Sequence, residues 1–175
     1  MRRLFPKLGL VGIVVAAVMI FLCFTTLAAE KKKFVFNLKS IKNISTINLN
    51  APQDKNNQIT QWVRQDSFTE HTDSSLVGAE ITVYGTMDRL TYGGVHNSSG
   101  YNIGKSKDGD FFYYKWQSTG LVTVPHETNW EVEYNKKIQF IGGTGKYRTL
   151  KGTATCKGTI TPAGHAEKCE GEWEY

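Results

Sequence analysis

Cysteine is scarce in this 175-residue chain, with three in all, and no two of them have the C-x-x-C spacing of a redox or zinc motif. Helical periodicity is missing too: from Ile59 to the C-terminus no apolar pattern keeps a 3.6-residue spacing for three turns. A surplus of one charge is also absent from most of the chain. The formal net charge is +5, but three of the 21 basic residues (Arg2, Arg3, Lys7) and none of the 16 acidic ones lie in residues 1–29, leaving about +2 beyond them. No dense basic stripe is left to follow a phosphate backbone, so no nucleic-acid role is expected.

Nucleotide loops are missing as well, although Gly142-Gly143-Thr144-Gly145-Lys146 resembles one at first sight. A P-loop ending at Gly145-Lys146 would need its first glycine where Phe140 stands and Ser or Thr where Tyr147 stands. The dinucleotide pattern fails in turn, because Arg148 stands where its third glycine belongs. Both readings also demand a helix next, whereas "KYRTLKGTATCKGTI" is rich in threonine and glycine and reads as strand. Gly142, Gly143 and Gly145 are therefore read as a structural turn between strands.

What is present begins with a basic start, an apolar run from Leu8 to Phe24, and small residues at Ala28 and Ala29. This is the layout of a signal peptide over residues 1–29, and it makes the protein exported, periplasmic or secreted. The run is long for that role, and an uncleaved membrane anchor over residues 8–29 is the alternative. Leu22 before Cys23 argues against a lipid-modified cysteine. Export leaves Cys156 and Cys169 as a pair in an oxidising compartment, with Pro162-Ala163-Gly164 midway between them as a hairpin turn. A structural disulfide is the favoured reading, worth about 2–3 kcal/mol in the chain-entropy model. A Cys-His metal site using His165 and a redox pair are its rivals.

Residues 30–58 are polar and rich in Asn and Lys, with room for one short strand at Phe34, Phe36 and Leu38. From Ile59 the texture changes, and residues 59–175 read as a single β domain. In "NWEVEY", Trp130, Val132 and Tyr134 share one face and the glutamates the other. "CEGEWEY" repeats the alternation, and in "DFFYYKWQ" Phe112, Tyr114 and Trp116 fall on one side. Further strands are read at "KIQFI", "GTATCKGTI", "QWVRQDSFTE", "AEITVYG" and "DRLTYGG", with turns at "HTDSSLVG", "HNSSG" and "SKDGD". About eight short strands joined by short connections predict an all-β, eight-stranded antiparallel barrel, with a Greek-key sandwich as the alternative.

"FIGGTGKYRTLKGTATCKG" is similar to the segment of the allene oxide cyclase and dirigent protein superfamily in which a Gly-Gly-x-Gly-x-aromatic turn precedes a glycine-containing strand. "SKDGDFFYYKWQSTG" and "WEVEYNKKIQFI" resemble that family's preceding strands, so the likeness runs from about Gly104 to Gly158. It implies a small calycin-type barrel with an apolar cavity, and no catalytic residue transfers from it. The paired cysteines depart from the family's plant enzymes.

Candidate cavity-lining residues are Phe112, Tyr114, Trp116, Trp130, Val132 and Tyr134, for which an ordinary packed core is the plainer reading. His71, His96, His126 and His165 are read as solvated loop residues, since no two share i, i+2 or i, i+4 spacing. No metal site and no cofactor are expected. The cluster Glu70–Ser75 is read as a polar loop, and Asn43 and Asn97 as glycosylation acceptors only in a eukaryotic secretory pathway. Three roles stay open. The first is a binding module for an apolar small molecule or an envelope partner; the second is a cyclase- or isomerase-type enzyme, which the resemblance implies. The third is a structural or interaction protein with a filled barrel. A buried carboxyl with a raised pKa would favour the enzyme, and a purely apolar interior would favour binding.

Overall fold

The computed structural model describes residues 30–49, 57–90, 94–124 and 130–175. The signal-peptide and anchor readings of residues 1–29, His126, and parts of the "NLNAPQDKNNQ" and "DRLTYGG" stretches lie outside them. Eight strands run in chain order: β1 (Lys32–Asn48), β2 (Asn57–His71), β3 (Glu80–Leu90), β4 (Val95–Lys105), β5 (Phe111–Val124), β6 (Glu131–Gly143), β7 (Lys151–Thr161) and β8 (Gly164–Glu174). Each pairs antiparallel with its sequence neighbour, and β1 pairs with β8, so the sheet closes into a barrel. Period-two alternation dictates the result. In β6 every second residue from Val132 to Gly142 is buried and those between are exposed, so one strand face forms the interior and the other meets solvent.

The N-terminal polar segment has a larger role than its composition suggests. β1 occupies 17 residues of it and closes the barrel, which therefore begins at Lys32 rather than at residue 59. Only Phe34, Phe36 and Leu38 carry a clean alternation there, and from Ile41 onward every β1 residue is exposed, which hid the strand's length. Pairing of β1 with β8 ends at Lys39 and Ala166, while pairing with β2 continues to Asn48 and Thr60. The outer part of β1 thus has one neighbour among the described residues. Register shifts between Ser40 and Lys42 and between Asn43 and Ser45 leave Ile41 and Ile44 out of step, which blunts a free edge against pairing with another chain.

Two other expectations change. "NWEVEY" and "KIQFI" are one strand, β6, since Asn135 and Lys136 continue the ladder to β5 and β7. "HNSSG" is the middle of β4 and not a turn. Its glycine serves packing: a Cβ at Gly100 would strike the Trp116 indole and the Tyr84 carbonyl, just as one at Gly85 of the neighbouring β3 would strike Trp62. Glycine lets two indoles lie flat against the inner wall. "SKDGD" is a tight turn with Gly109 at φ 89°, and "HTDSSLVG" carries a short 3-10 turn at Ser74–Leu76. Of the glycines read as a turn, Gly142 and Gly143 are the last residues of β6, still paired with Tyr113 and Phe112, while Gly145 opens a second 3-10 turn at Gly145–Tyr147, where the Lys146 ammonium meets Asp108 at 2.9 Å.

The half of the barrel that holds the start of β1 and the end of β2 is a packed aromatic core. Phe34, Phe36, Phe68, Phe112, Phe140 and Trp173 are nearly fully buried there, with ring centroids 4.5 Å apart for Phe34 and Trp173 and 4.7 Å for Phe36 and Phe68. Leu76 and Tyr147, brought in by the two 3-10 turns, cover that end. Cys156 and Cys169 are direct partners in the β7–β8 ladder and form a disulfide inside the wall, with their Cα atoms 4.0 Å apart.

Candidate functional site

The other half of the barrel is built differently. Arg64 and Asp66 of β2, Tyr134 and Lys136 of β6, and His165 and Glu167 of β8 all stand on the inward parity of their strands, so three strands deliver six ionisable side chains to one enclosed layer. Their side chains are sealed off: Arg64 is 13% exposed, Asp66 1%, Lys136 5%, His165 4% and Glu167 0%. Charges removed from water to this degree require partners. Arg64 Nε donates to Asp66 Oδ1 at 2.7 Å, and Lys136 pairs with Glu167 Oε2. The Lys136 ammonium also lies 5.1 Å from the Trp116 ring, a cation–π contact. Beside it Trp116 Nε1 donates to Asn102 Oδ1, and Asn102 Nδ2 donates to the Tyr114 hydroxyl, both at 2.7 Å.

Opposing forces set the protonation of the layer. Burial pushes the Glu167 carboxyl up, but the Lys136 charge and His165 outweigh it, and it titrates well below the ordinary carboxylate range. Burial works against the Arg64 charge and Asp66 more than compensates. Burial also pulls the Lys136 ammonium down against the attraction of Glu167. The Glu167 direction governs the pair, because a carboxylate oxygen shared by Lys136, Tyr134 and His165 is held ionised. Burial, then the Arg64 charge, lowers His165 and keeps it neutral. Burial and the Glu167 charge raise Tyr134 well above the usual phenol range.

Proton counting then exposes a gap. The Tyr134 hydroxyl donates its one proton to Glu167 Oε2 at 2.6 Å, so its oxygen accepts from His165 Nε2–H. A neutral His165 in that tautomer has a lone pair on Nδ1, which faces Asp66 Oδ2 across 3.9 Å. Both atoms are buried without a hydrogen-bond partner, as are Glu167 Oε1 and Trp62 Nε1 in the same half. Two acceptors that face one another call for a donor from elsewhere.

Sequence reasoning placed the histidines in solvated loops, and the structure overturns this for three of them. His71, His96 and His165 are 9%, 0% and 6% exposed and point inward from β2, β4 and β8. Adjacent turn signals and polar stretches made each look like loop, yet each stands on the inward parity of a strand. A signal was available: His165, Glu167 and Cys169 follow at i, i+2 and i+4, which places all three on one strand face. Lys136 was hidden because the Asn135-Lys136-Lys137 run resembles a break. Of the six aromatic and apolar candidates, Phe112, Tyr114, Trp116, Val132 and Tyr134 are buried and inward, while Trp130 is half-buried ahead of β6. Hollows of 1070 and 880 Å³ are lined largely by outward-facing residues, including Leu121, Glu133 and Lys157 for the first and Lys115, Lys137 and Glu170 for the second, with Tyr134 and Glu167 also lining the first and Trp116 the second.

Strand order and site together define a class: a closed, meandering, eight-stranded antiparallel barrel with one aromatic half and one enclosed charged layer. Among solved structures the chain is similar to the pterocarpan synthase dirigent protein PsPTS1, with 14% identity, a TM-score of 0.43, and coverage of 83% of this chain and 96% of that one. It is also similar to the pterocarpan synthase dirigent protein GePTS1, with 11% identity, a TM-score of 0.46, and coverage of 87% and 89%. Both are dirigent proteins, the group whose turn motif this chain resembles around Gly142; the fold assignment itself stands on the chain's own pairing and register. No protein-family model and no curated protein matches the chain.

Proposed function

We propose that the barrel is a binding module whose charged layer takes a small molecule with an apolar body and at least one hydrogen-bond donor, a hydroxyl or an amine. The observation that carries this reading is the pair of facing lone pairs on His165 Nδ1 and Asp66 Oδ2, buried and 3.9 Å apart. A donor group inserted there would satisfy both, and Glu167 Oε1 offers a further acceptor. The indoles of Trp62 and Trp116, whose centroids are 6.1 Å apart, would take the apolar part. This departs from a purely apolar ligand, because the interior is not lined by apolar groups alone. The disulfide supports an exported setting. The expected mark of an enzyme, a buried carboxyl with a raised pKa, is not what Glu167 presents, and an ionised Glu167 fits a binding role.

The test is mass spectrometry of an organic extract of gently purified protein beside a denatured control. A stoichiometric small molecule bearing a hydroxyl or amine is expected. An empty extract, together with a crystal structure showing water alone between His165 and Asp66, would overturn the reading.

A further inference from the structure

The disulfide and the charged layer meet at Glu167. The Cys156 and Cys169 sulfurs and a Glu167 carboxylate oxygen all lie within 4.8 Å of one another, and all three residues are buried. Glu167 and Cys169 are i and i+2 on the inward face of β8, and Cys156 is the direct ladder partner of Cys169 on β7. The two oxygens of Glu167 differ in a way that matters. Oε2 is shared by Tyr134, Lys136 and His165, whereas Oε1 has no partner. One oxygen is fixed by its surroundings and the other keeps a free lone pair, which is how a ligating carboxylate is held by its outer neighbours.

We infer that the dithiol form of this barrel binds a thiophilic divalent cation of the zinc class through Cys156 Sγ, Cys169 Sγ and Glu167, and that disulfide formation abolishes the site. The chemistry balances with a thiol reductant as co-reactant. Two electrons and two protons convert the bridge to two thiols while the reductant becomes its own disulfide, and the cation then displaces two protons. Two thiolates and one carboxylate bring three negative charges, which a divalent cation and the nearby Lys136 ammonium neutralise. Two sulfurs with one oxygen select zinc or cadmium over magnesium or calcium, and three protein ligands leave a fourth position open. The sulfurs part when the bridge opens, making room for a cation between them, while ladder pairing holds the two strands in place.

The experiment is a titration of the full chain with Cd²⁺, reading the ultraviolet thiolate-to-cadmium absorption, with circular dichroism recorded alongside. The reduced chain is expected to bind one Cd²⁺, the oxidised chain none, and reduced Cys156→Ser none. Glu167→Gln, reduced, is expected to bind at least about tenfold more weakly. A folded, reduced chain that binds no Cd²⁺ would overturn the inference. Equal affinity in Glu167→Gln would overturn it too, since that leaves a thiol pair without the built site. If reduction melts the β signal, Cd²⁺ must restore it, and failure to do so counts against the site equally.

Discussion

The two halves of this barrel share one wall and eight strands, yet they hold themselves together by different physics. Around Phe36 and Phe68 stability comes from aromatic burial, which is non-directional and tolerates a neighbour of similar size. Around Glu167 it comes from matched charges, in which each group is favourable only while its partner is present. The contrast teaches that inward parity in a strand does not require apolar character. It requires that each buried group be satisfied, either by packing or by a partner from another strand.

The sharpest way to break the comparison is to remove one charge. Glu167→Leu strands the Lys136 ammonium inside the barrel, and a loss of about 3–5 kcal/mol is expected in denaturant unfolding. Adding Lys136→Met should recover most of that loss, since a well-packed apolar pair often equals a buried ion pair. A double variant no better than the single one would contradict the charge-matching account. In the aromatic half, Phe68→Ala should cost about 3 kcal/mol, and a second truncation at Phe36 should deepen the loss instead of rescuing it.

Reducing the Cys156–Cys169 bridge comes next, with an expected cost of about 2–3 kcal/mol and a retained β signature. An unchanged melting temperature on reduction would contradict it. The smallest effect near neutrality belongs to pH. Burial lowers His71 from 6.5 to about 4, against the pull of Asp73, so between those values the unfolded chain holds a proton that the folded chain refuses. Stability should therefore fall as pH drops from 6.5 towards 4, and His165, lowered in the same direction, adds to the fall. Glu167, also lowered, acts in the same sense over a more acidic range: its contribution is present above its unfolded value of 4.5 and is lost as pH falls from there through its depressed folded value. His71→Phe should flatten the melting profile between pH 6.5 and 4, and an unaltered slope would remove His71 from the account.

Much of the architecture was legible in the chain. Phe112, Tyr114 and Trp116 announced β5 through their spacing, Asp108-Gly109 announced the turn before it, and the Cys156–Cys169 pairing followed from a hairpin turn placed midway. The outer part of β1 and the middle of β4 were illegible for opposite reasons. The former is exposed on both faces, so no alternation marks it; the latter turns small residues inward, with Gly100 making room for the Trp116 indole supplied by β5. The candidate site was less legible still, because an inward lysine or histidine looks the same as an outward one until its partner is known.

By itself the sequence determined the local rhythm: a period of two, turns at intervals, and two cysteines in register. These follow from backbone stereochemistry and neighbouring residues, so a short window contains them. Only the tertiary structure decided that Asp66, Tyr134, Lys136, His165 and Glu167 meet, because they come from β2, β6 and β8 and share no local pattern. Closure of β1 on β8 brings those strands around a common interior. Within it, the cost of an unpaired buried charge is what binds residues so far apart in the chain into one layer.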